Sequence, residues 1–390
     1  MPCILASLEL SYTLPPMRSF TARLTVEILV AALGGALLIS AFIANQPWLD
    51  RHFLPAFFVS RSRYVLVESF ARVATAAVGA MLALAARAPV ARFVTRSPAR
   101  ALQVTVAIVL AFGASEFMLR RIHPRAALEE PTYIEPSRQR DPILGWVFVP
   151  SRTARQNIGG RVVEYAIDSA GCRVRSVDEP VDPDRPTIVF TGESMMVGEG
   201  LTWDETIPAQ TGAIMGLQSA NLAVSGFASD QAYLKLKAEL PRFRQPVAVV
   251  TLFTPVLFDR NLNDDRPHLG PGLVWLAPAH RWRLATIAKF LVPYRSEEAI
   301  ERGVMVTRDV LHATVELARA RGAAPIIVVP QFTPEEPREQ ALRRQILDET
   351  GLPYQLVELD ASWRLTDDGH PDSRAAHAIA VALAARLRER

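Results

Sequence analysis

From residue 187 to the C-terminus, five short apolar runs alternate with stretches of helical periodicity. The runs are 187–191, 219–224, 247–253, 325–329 and 354–359; the helical stretches are about 204–215, 229–240, 303–321, 335–349 and 372–388. Runs this short and this apolar are buried on both faces. A chain satisfies that requirement most simply with a parallel sheet whose crossover helices cover it on both sides. The expected fold class is therefore α/β, a three-layer arrangement with a parallel sheet. Gly322 stands where the third helix should stop. Residues 255–300 interrupt the alternation with Trp275, Trp282 and the prolines 267, 271, 278 and 293. They read as an insertion at the C-terminal ends of the strands, where such sheets bind ligands.

The first third follows a different rule. The chain is 49% hydrophobic, high for a wholly water-soluble enzyme, and much of the excess lies here. Residues 24–44 carry one charge, Glu27, and reach the roughly 20 residues a bilayer-spanning helix needs. The run exceeds the apolar core of a cleaved signal peptide, which favours an anchor. Two weaker segments follow, 65–86 with Glu68 and Arg72, and 101–119 with Gln103 and Glu116. Together they predict a transmembrane region over 1–120. Met17-Arg18 reads as a second candidate start, which would set residues 1–16 aside. Three spans place six arginines on each side, so the positive-inside count is tied. The acid-free loop 87–100 favours the cytoplasm for that side. The expected location is the inner cell membrane, multi-pass, with the C-terminal region extracytoplasmic.

Residues 121–186 form a proline-rich connector, with His123-Pro124, Glu130-Pro131, Glu135-Pro136, Asp141-Pro142 and Val149-Pro150. The short runs 144–149 and 161–167 predict strands of a small β preamble. Residues 187–390 then form the domain that carries the chemistry.

Two places in that domain hold reactive side chains. Ser194 follows the first strand after Gly192, at the point where a helix begins. Backbone N–H groups and the positive end of a helix dipole there suit a developing anion. The sequence LTDDGH, 365–370, puts His370 in a loop before the last helix, with Asp367 three residues and Asp368 two residues earlier. A carboxylate beside an imidazole can fix its tautomer and stabilise the imidazolium, as the base of a nucleophilic serine requires. Each cluster alone is also compatible with an ordinary solvated turn.

Taken together, the clusters resemble the SGNH/GDSL hydrolase family. Its first block appears as Gly192-Glu193-Ser194, with Glu in place of the usual Asp. The second appears as residues 221–226, NLAVSG, and the last as Asp367 to His370 followed by Pro371. The resemblance covers about 187–390 and implies a flavodoxin-like α/β/α fold with ester or acyl chemistry. It makes Ser194 the nucleophile, His370 the general base, and Asp367 or Asp368 the orienting acid. Gly226, with Ser194, would give N–H groups to the oxyanion hole. The third block departs from the pattern: the position of its Asn is occupied within Phe253-Thr254-Pro255. Thr254, or Asn261 or Arg260 from the following loop, would have to supply that donor. Losing one such donor costs roughly two to three orders of magnitude in turnover. The membrane-anchored layout is similar to that of family members acting on envelope or exported polysaccharide. The segment that begins at 141–146, DPILGW, and ends near Gly171-Cys172-Arg173 also resembles what precedes the domain in such proteins.

The expected function is thus a membrane-anchored serine esterase or acyltransferase, with an O-acyl, in particular O-acetyl, ester of a carbohydrate as substrate. Two alternatives accompany it: a binding or assembly protein that has lost turnover, motivated by the missing Asn, and a membrane-tethered lipid esterase, motivated by the tied arginines. No cofactor is expected. No metal is expected either, since His52, His123, His268, His280, His312 and His377 lack partners at ligand spacing and Cys3 and Cys172 are the only cysteines. Lysine occurs only at 235, 237 and 289, net charge is +3, and no basic stripe carries interleaved aromatics, so nucleic acid is not an expected partner. Asp259, Asp264, Asp265 and Arg266 are candidates for the substrate entrance or for a plain charged loop.

Overall fold

A computed structural model describes residues 17–55, 61–122, 136–158, 160–279, 282–284, 294–366 and 369–389. They fall into two compact units, one built by the helices of the first third and the other by the sheet and helices from residue 136 onward.

In the first unit, α1 (Met17–Ile43) is followed by α2 (Gln46–His52). Helix α3 (Arg61–Ala80) runs through a π-helical turn, Met81–Ala86, into α4 (Arg87–Arg96), and α5 (Pro98–Ile122) follows. Three helical stretches, Phe20–Ile43, Arg61–Arg96 and Pro98–Ile122, are long and apolar enough to cross a membrane. Their large side chains, among them Phe42, Leu66, Phe70 and Leu110, are exposed, as a lipid-facing surface requires. Helices α1 and α3 touch backbone to backbone. A Cβ on Gly34 would lie 2.6 Å from the Gly79 carbonyl oxygen, and one on Gly79 would lie 2.8 Å from that of Gly34. Small residues allow this approach in apolar surroundings, where close packing replaces the hydrophobic effect. Two opposite charges in the middle of α3 answer each other: Arg72 lies 3.4 Å from buried Glu68, and its Nε donates to the Ala41 carbonyl of α1 at 3.0 Å.

The second unit begins with an antiparallel hairpin, β1 (Arg138–Asp141) and β2 (Gly145–Phe148). Its turn is held by the Asp141 carboxylate, which accepts from the N–H groups of Ile143 and Leu144. Next come β3 (Arg152–Ile158), β4 (Arg161–Ile167), β5 (Arg173–Val174) and β6 (Thr187–Phe190). The strands β7 (Gln218–Asn221), β8 (Pro246–Leu252), β9 (Ala324–Gln331) and β10 (Tyr354–Glu358) complete the sheet. Its order is β10-β9-β8-β6-β7-β5-β4-β3. The five strands from β10 to β7 are parallel; β5, β4 and β3 continue the sheet antiparallel. The parallel part therefore reads second-first-third-fourth-fifth, the flavodoxin-like doubly wound order.

Strand alternation divides the core in two. Ile188, Phe190, Val250 and Leu252 face α7 (Ile207–Met215) and α12 (Ser373–Arg388), meeting Ile207, Ile379 and Leu383. Val189, Ala220 and Val249 face α8 (Ser229–Glu239) and α10 (Glu297–Ala320), meeting Leu236 and Ala318. Burying each such side chain stabilises the fold by roughly 1.5–3 kcal/mol before entropy is counted.

All five predicted parallel strands are present within a few residues. Three other strands carry no apolar signal. β3, RTARQNI, is an edge strand with most of its side chains in water, so pairing rather than burial makes it a strand. β1 is similarly polar and β5 has only two residues. The connector is also more than a preamble, because β5 pairs with β7 through Arg173 and Asn221 and so joins β3–β5 to the main sheet. Within 255–300, Pro255–Asn261 forms helix α9, His268–Leu269 pairs with Trp275–Leu276, and α10 starts at Glu297 rather than near 303, capped by the Ser296 hydroxyl.

Candidate active site

The switch in strand order falls between β6 and β8, and the loops that leave their C-terminal ends carry Ser194 and Thr254. Sheets of this kind open a crevice at that point. Ser194 is the first residue of a one-turn helix, α6 (Ser194–Val197), and is 4% exposed. Helix α6 starts because Glu193 caps it, its Oε1 accepting from the Met195 N–H at 3.1 Å. It stops at Gly198, whose φ of 80° lies in the left-handed region that glycine tolerates.

Three side chains hold this turn from beneath. Arg173 is fully buried, and its Nη1 donates to the carbonyls of Val197 and Gly198, both at 2.7 Å, and its Nη2 to that of Leu201. These are the carbonyls a helix end leaves unpaired. The guanidinium stacks 4.4 Å from the Tyr165 ring, whose hydroxyl accepts the Gly200 N–H at 2.8 Å. Burial lowers the Arg173 pKa to about 10, with Tyr165 and Glu199 acting against that shift. Asn221 Nδ2 donates to the Met196 carbonyl at 3.0 Å. Asn221 and Arg173 are also the residues that pair β7 with β5, so one bridge fixes both the sheet and the Ser194 turn.

His370 reaches Ser194 from the loop before α12. Its Nε2 lies 2.8 Å from Ser194 Oγ, across 176 positions of sequence. The loop is set by the Leu365 N–H bonding to the His370 carbonyl at 2.8 Å, and by Asp372, which caps α12 through the N–H groups of Arg374 and Ala375. Asp367 and Asp368 lie outside the described residues.

Gly226 sits in the β7–α8 loop with φ 81°. That loop is tied to the turn that carries Ser194, since the Val224 N–H donates to the Gly192 carbonyl at 3.2 Å. The N–H groups of Ser194 and Gly226 have no acceptor among the described residues. Thr254 lines the cavity beside Ser194, and its Oγ1 accepts the Leu257 N–H at 3.2 Å as the cap of α9. Asn261 is placed elsewhere. Its Nδ2 donates to Thr307 Oγ1 at 2.8 Å and its Oδ1 faces the Asp230 N–H at 3.5 Å. It ties α9 to α10 and α8, and both ends of its amide are used. Asp259 pairs with Arg295, and Arg266 with Asp230, so these loop charges are likewise built into the packing. Burial raises the Asp259 pKa against the pull of Arg295 and Arg260.

Arg260, the residue immediately before Asn261, does reach the site. Its Nη1 donates to Glu193 Oε2 and to the Phe227 carbonyl, both at 3.1 Å. The same Glu193 oxygen accepts the Ser194 hydroxyl. Glu193 and Arg173 were not assigned roles by the sequence. The signal for Glu193 was its place as the varied residue of the first block; Arg173 sits in a polar connector and gave none.

A cavity of about 420 Å³ opens over Ser194 and His370. Pro255, Phe332 and Pro371 give it apolar walls, and Thr254, Arg260 and Arg364 give it polar ones. Arg364 stacks 3.9 Å from the Phe332 ring, and burial lowers its pKa. The arrangement can bind a polar molecule, attack a carbonyl carbon from Ser194 Oγ and receive the proton at His370 Nε2.

No protein-family model matches the chain, and no curated protein sequence does. Among solved structures, it is similar to a Desulfitobacterium hafniense protein placed in the G-D-S-L lipolytic family (11% identity, 52% of this chain and 99% of that chain, TM-score 0.32). It is also similar to an acetyl xylan esterase from Butyrivibrio proteoclasticus (12%, 54% and 65%, TM-score 0.35). A third is a carbohydrate acetylesterase from Sinorhizobium meliloti (12%, 53% and 99%, TM-score 0.32). These three solved structures are a G-D-S-L family lipolytic protein, an acetyl xylan esterase and a carbohydrate acetylesterase.

Proposed function

We propose that the protein is a membrane-anchored serine esterase or acyltransferase of SGNH type, acting on O-acyl esters of carbohydrate, in particular O-acetyl esters. The observation that carries the proposal is the 2.8 Å approach of His370 Nε2 to Ser194 Oγ at the sheet's switch point, inside a cavity. In this mechanism Ser194 Oγ attacks the ester carbonyl as His370 Nε2 takes its proton. The tetrahedral oxyanion is met by the N–H groups of Ser194 and Gly226, with Thr254 at the position of the third donor. His370 then returns the proton to the leaving alcohol oxygen, which leaves an acyl group on Ser194. Water completes a hydrolysis; a second sugar hydroxyl completes a transfer. Asp367 or Asp368 orients the imidazole.

The three long apolar helices support an inner-membrane, multi-pass location, and the acid-free stretch 87–100, helical over Arg87–Arg96, is assigned to the cytoplasmic side, with residues 136–390 outside. The test is labelling of the detergent-solubilised protein by a fluorophosphonate, with turnover of an activated acetyl ester, in wild type, Ser194→Ala and His370→Ala. Wild-type signal lost in both variants supports the proposal; equal signal in wild type and Ser194→Ala rejects it. A C-terminal topology reporter active only outside the cytoplasm supports the orientation.

A further inference from the structure

The β1–β2 hairpin lies ahead of the catalytic segments in sequence, yet two of its side chains grip the loop that bears Gly226. Trp146 Nε1 donates to the Ser225 carbonyl at 3.0 Å, and Arg138 Nη1 donates to the same oxygen at 3.2 Å, both in buried surroundings. The Trp146 ring packs edge-on against Phe227, with centroids 5.9 Å apart. From the other side Gln231 Nε2 donates to the Leu144 carbonyl at 2.6 Å. Hairpin and loop therefore hold each other through several independent contacts.

The geometry points to Trp146 and Arg138 as positioning residues for the oxyanion hole. In a trans peptide the C=O and the next N–H point in opposite directions across one plane. The Ser225 carbonyl and the Gly226 N–H belong to one such unit. Fixing the carbonyl with two donors fixes the N–H, which is turned to the opposite side and has no acceptor among the described residues. The flanking bond from the Val224 N–H to the Gly192 carbonyl ties the loop that bears Gly226 to the turn that carries Ser194. Glycine makes such a clamp necessary. Gly226 carries a left-handed φ of 81°, and without a side chain its peptide is the easiest in the loop to rotate. A rotated peptide would present an oxygen to a developing anion. A donor held in place before reaction is worth far more than one that must reorient. This proposal rests on the esterase reading of the site and extends it to residues outside the three family-like blocks.

The experiment uses the full chain in detergent with p-nitrophenyl acetate as substrate and a phenylboronic acid as a tetrahedral-adduct mimic. Trp146→Phe keeps a ring against Phe227 and removes the N–H. Arg138→Met removes the second donor, and Arg138→Lys restores a cation. Each loss should lower kcat about tenfold and the pair about a hundredfold, with KM within about twofold and boronate affinity falling alongside kcat. Arg138→Lys should recover part of the loss. Unchanged kcat in the folded double variant would overturn the proposal, as would a loss fully accounted for by a smaller folded fraction. A wild-type protein neither labelled by fluorophosphonate nor active would instead reject the esterase reading, and this proposal with it.

Discussion

One oxygen of Glu193 serves two donors, the hydroxyl of Ser194 and, at 3.1 Å, Nη1 of Arg260. In the proposed mechanism a carboxylate this close to Ser194 Oγ would repel the oxyanion and compete with His370 for the serine proton. The arginine offsets much of that charge. Arg260→Gln should therefore lower kcat/KM at least about tenfold, because an unbalanced carboxylate is left in a buried place. The double variant Glu193→Gln/Arg260→Gln should be more active than Arg260→Gln alone, since the amide still caps α6. Steady-state kinetics of wild type, Glu193→Gln, Arg260→Gln and the double variant would settle the sign of the coupling.

Arg173 is fully buried and satisfies three carbonyls at and just after the end of α6, those of Val197, Gly198 and Leu201. Lysine cannot reproduce a planar fork stacked on Tyr165. Arg173→Lys is expected to lose roughly 3–5 kcal/mol, the cost of breaking a buried charged network. A lower urea midpoint, read by tryptophan fluorescence, would report it. Tyr165→Phe removes one hydrogen bond and should cost only about 1 kcal/mol.

Gly198→Ala meets two obstacles together, the left-handed backbone and the methyl and Cβ of Thr206 in the space a new Cβ needs. Loss of fluorophosphonate labelling should exceed loss of folded protein, since the strain falls on the turn that carries Ser194.

Cys172 is buried, and burial with nearby Asp168 raises its thiol pKa to about 12 despite Lys235 and Arg242. At pH 8 about one such thiol in ten thousand is ionised, and the thiolate is the reactive form. Iodoacetamide should leave Cys172 unmodified in the native protein at pH 8 and modify it after denaturation. Peptide mass mapping distinguishes the two, and rapid native modification would contradict the burial.

The inner parallel strands β6, β8 and β9 were legible because apolar residues occupy both of their faces, and Ser194 and His370 because their residue types sit at strand-to-helix and loop-to-helix junctions. The edge strand 152–158 was not, because its partner, not its composition, makes it extended. Arg260 and Asn261 show the finer limit. They are adjacent in sequence, but a helix turns successive side chains by about 100°, and the phase of α9 sends Arg260 to Glu193 and Asn261 to Thr307. The phase was hidden because Thr254, the cap that starts α9, was read as a donor and not as a helix boundary.

The antiparallel extension of the sheet has a practical consequence for anyone cutting the gene. A fragment beginning at Thr187 would keep every residue of the three motif blocks. It would also strip β7 of its outer neighbour, leave the carbonyls after α6 without Arg173, and release the Ser225–Gly226 peptide from Trp146 and Arg138. The shortest piece with a closed sheet and a supported serine turn has to start upstream of Arg138, fifty residues before the first motif would suggest.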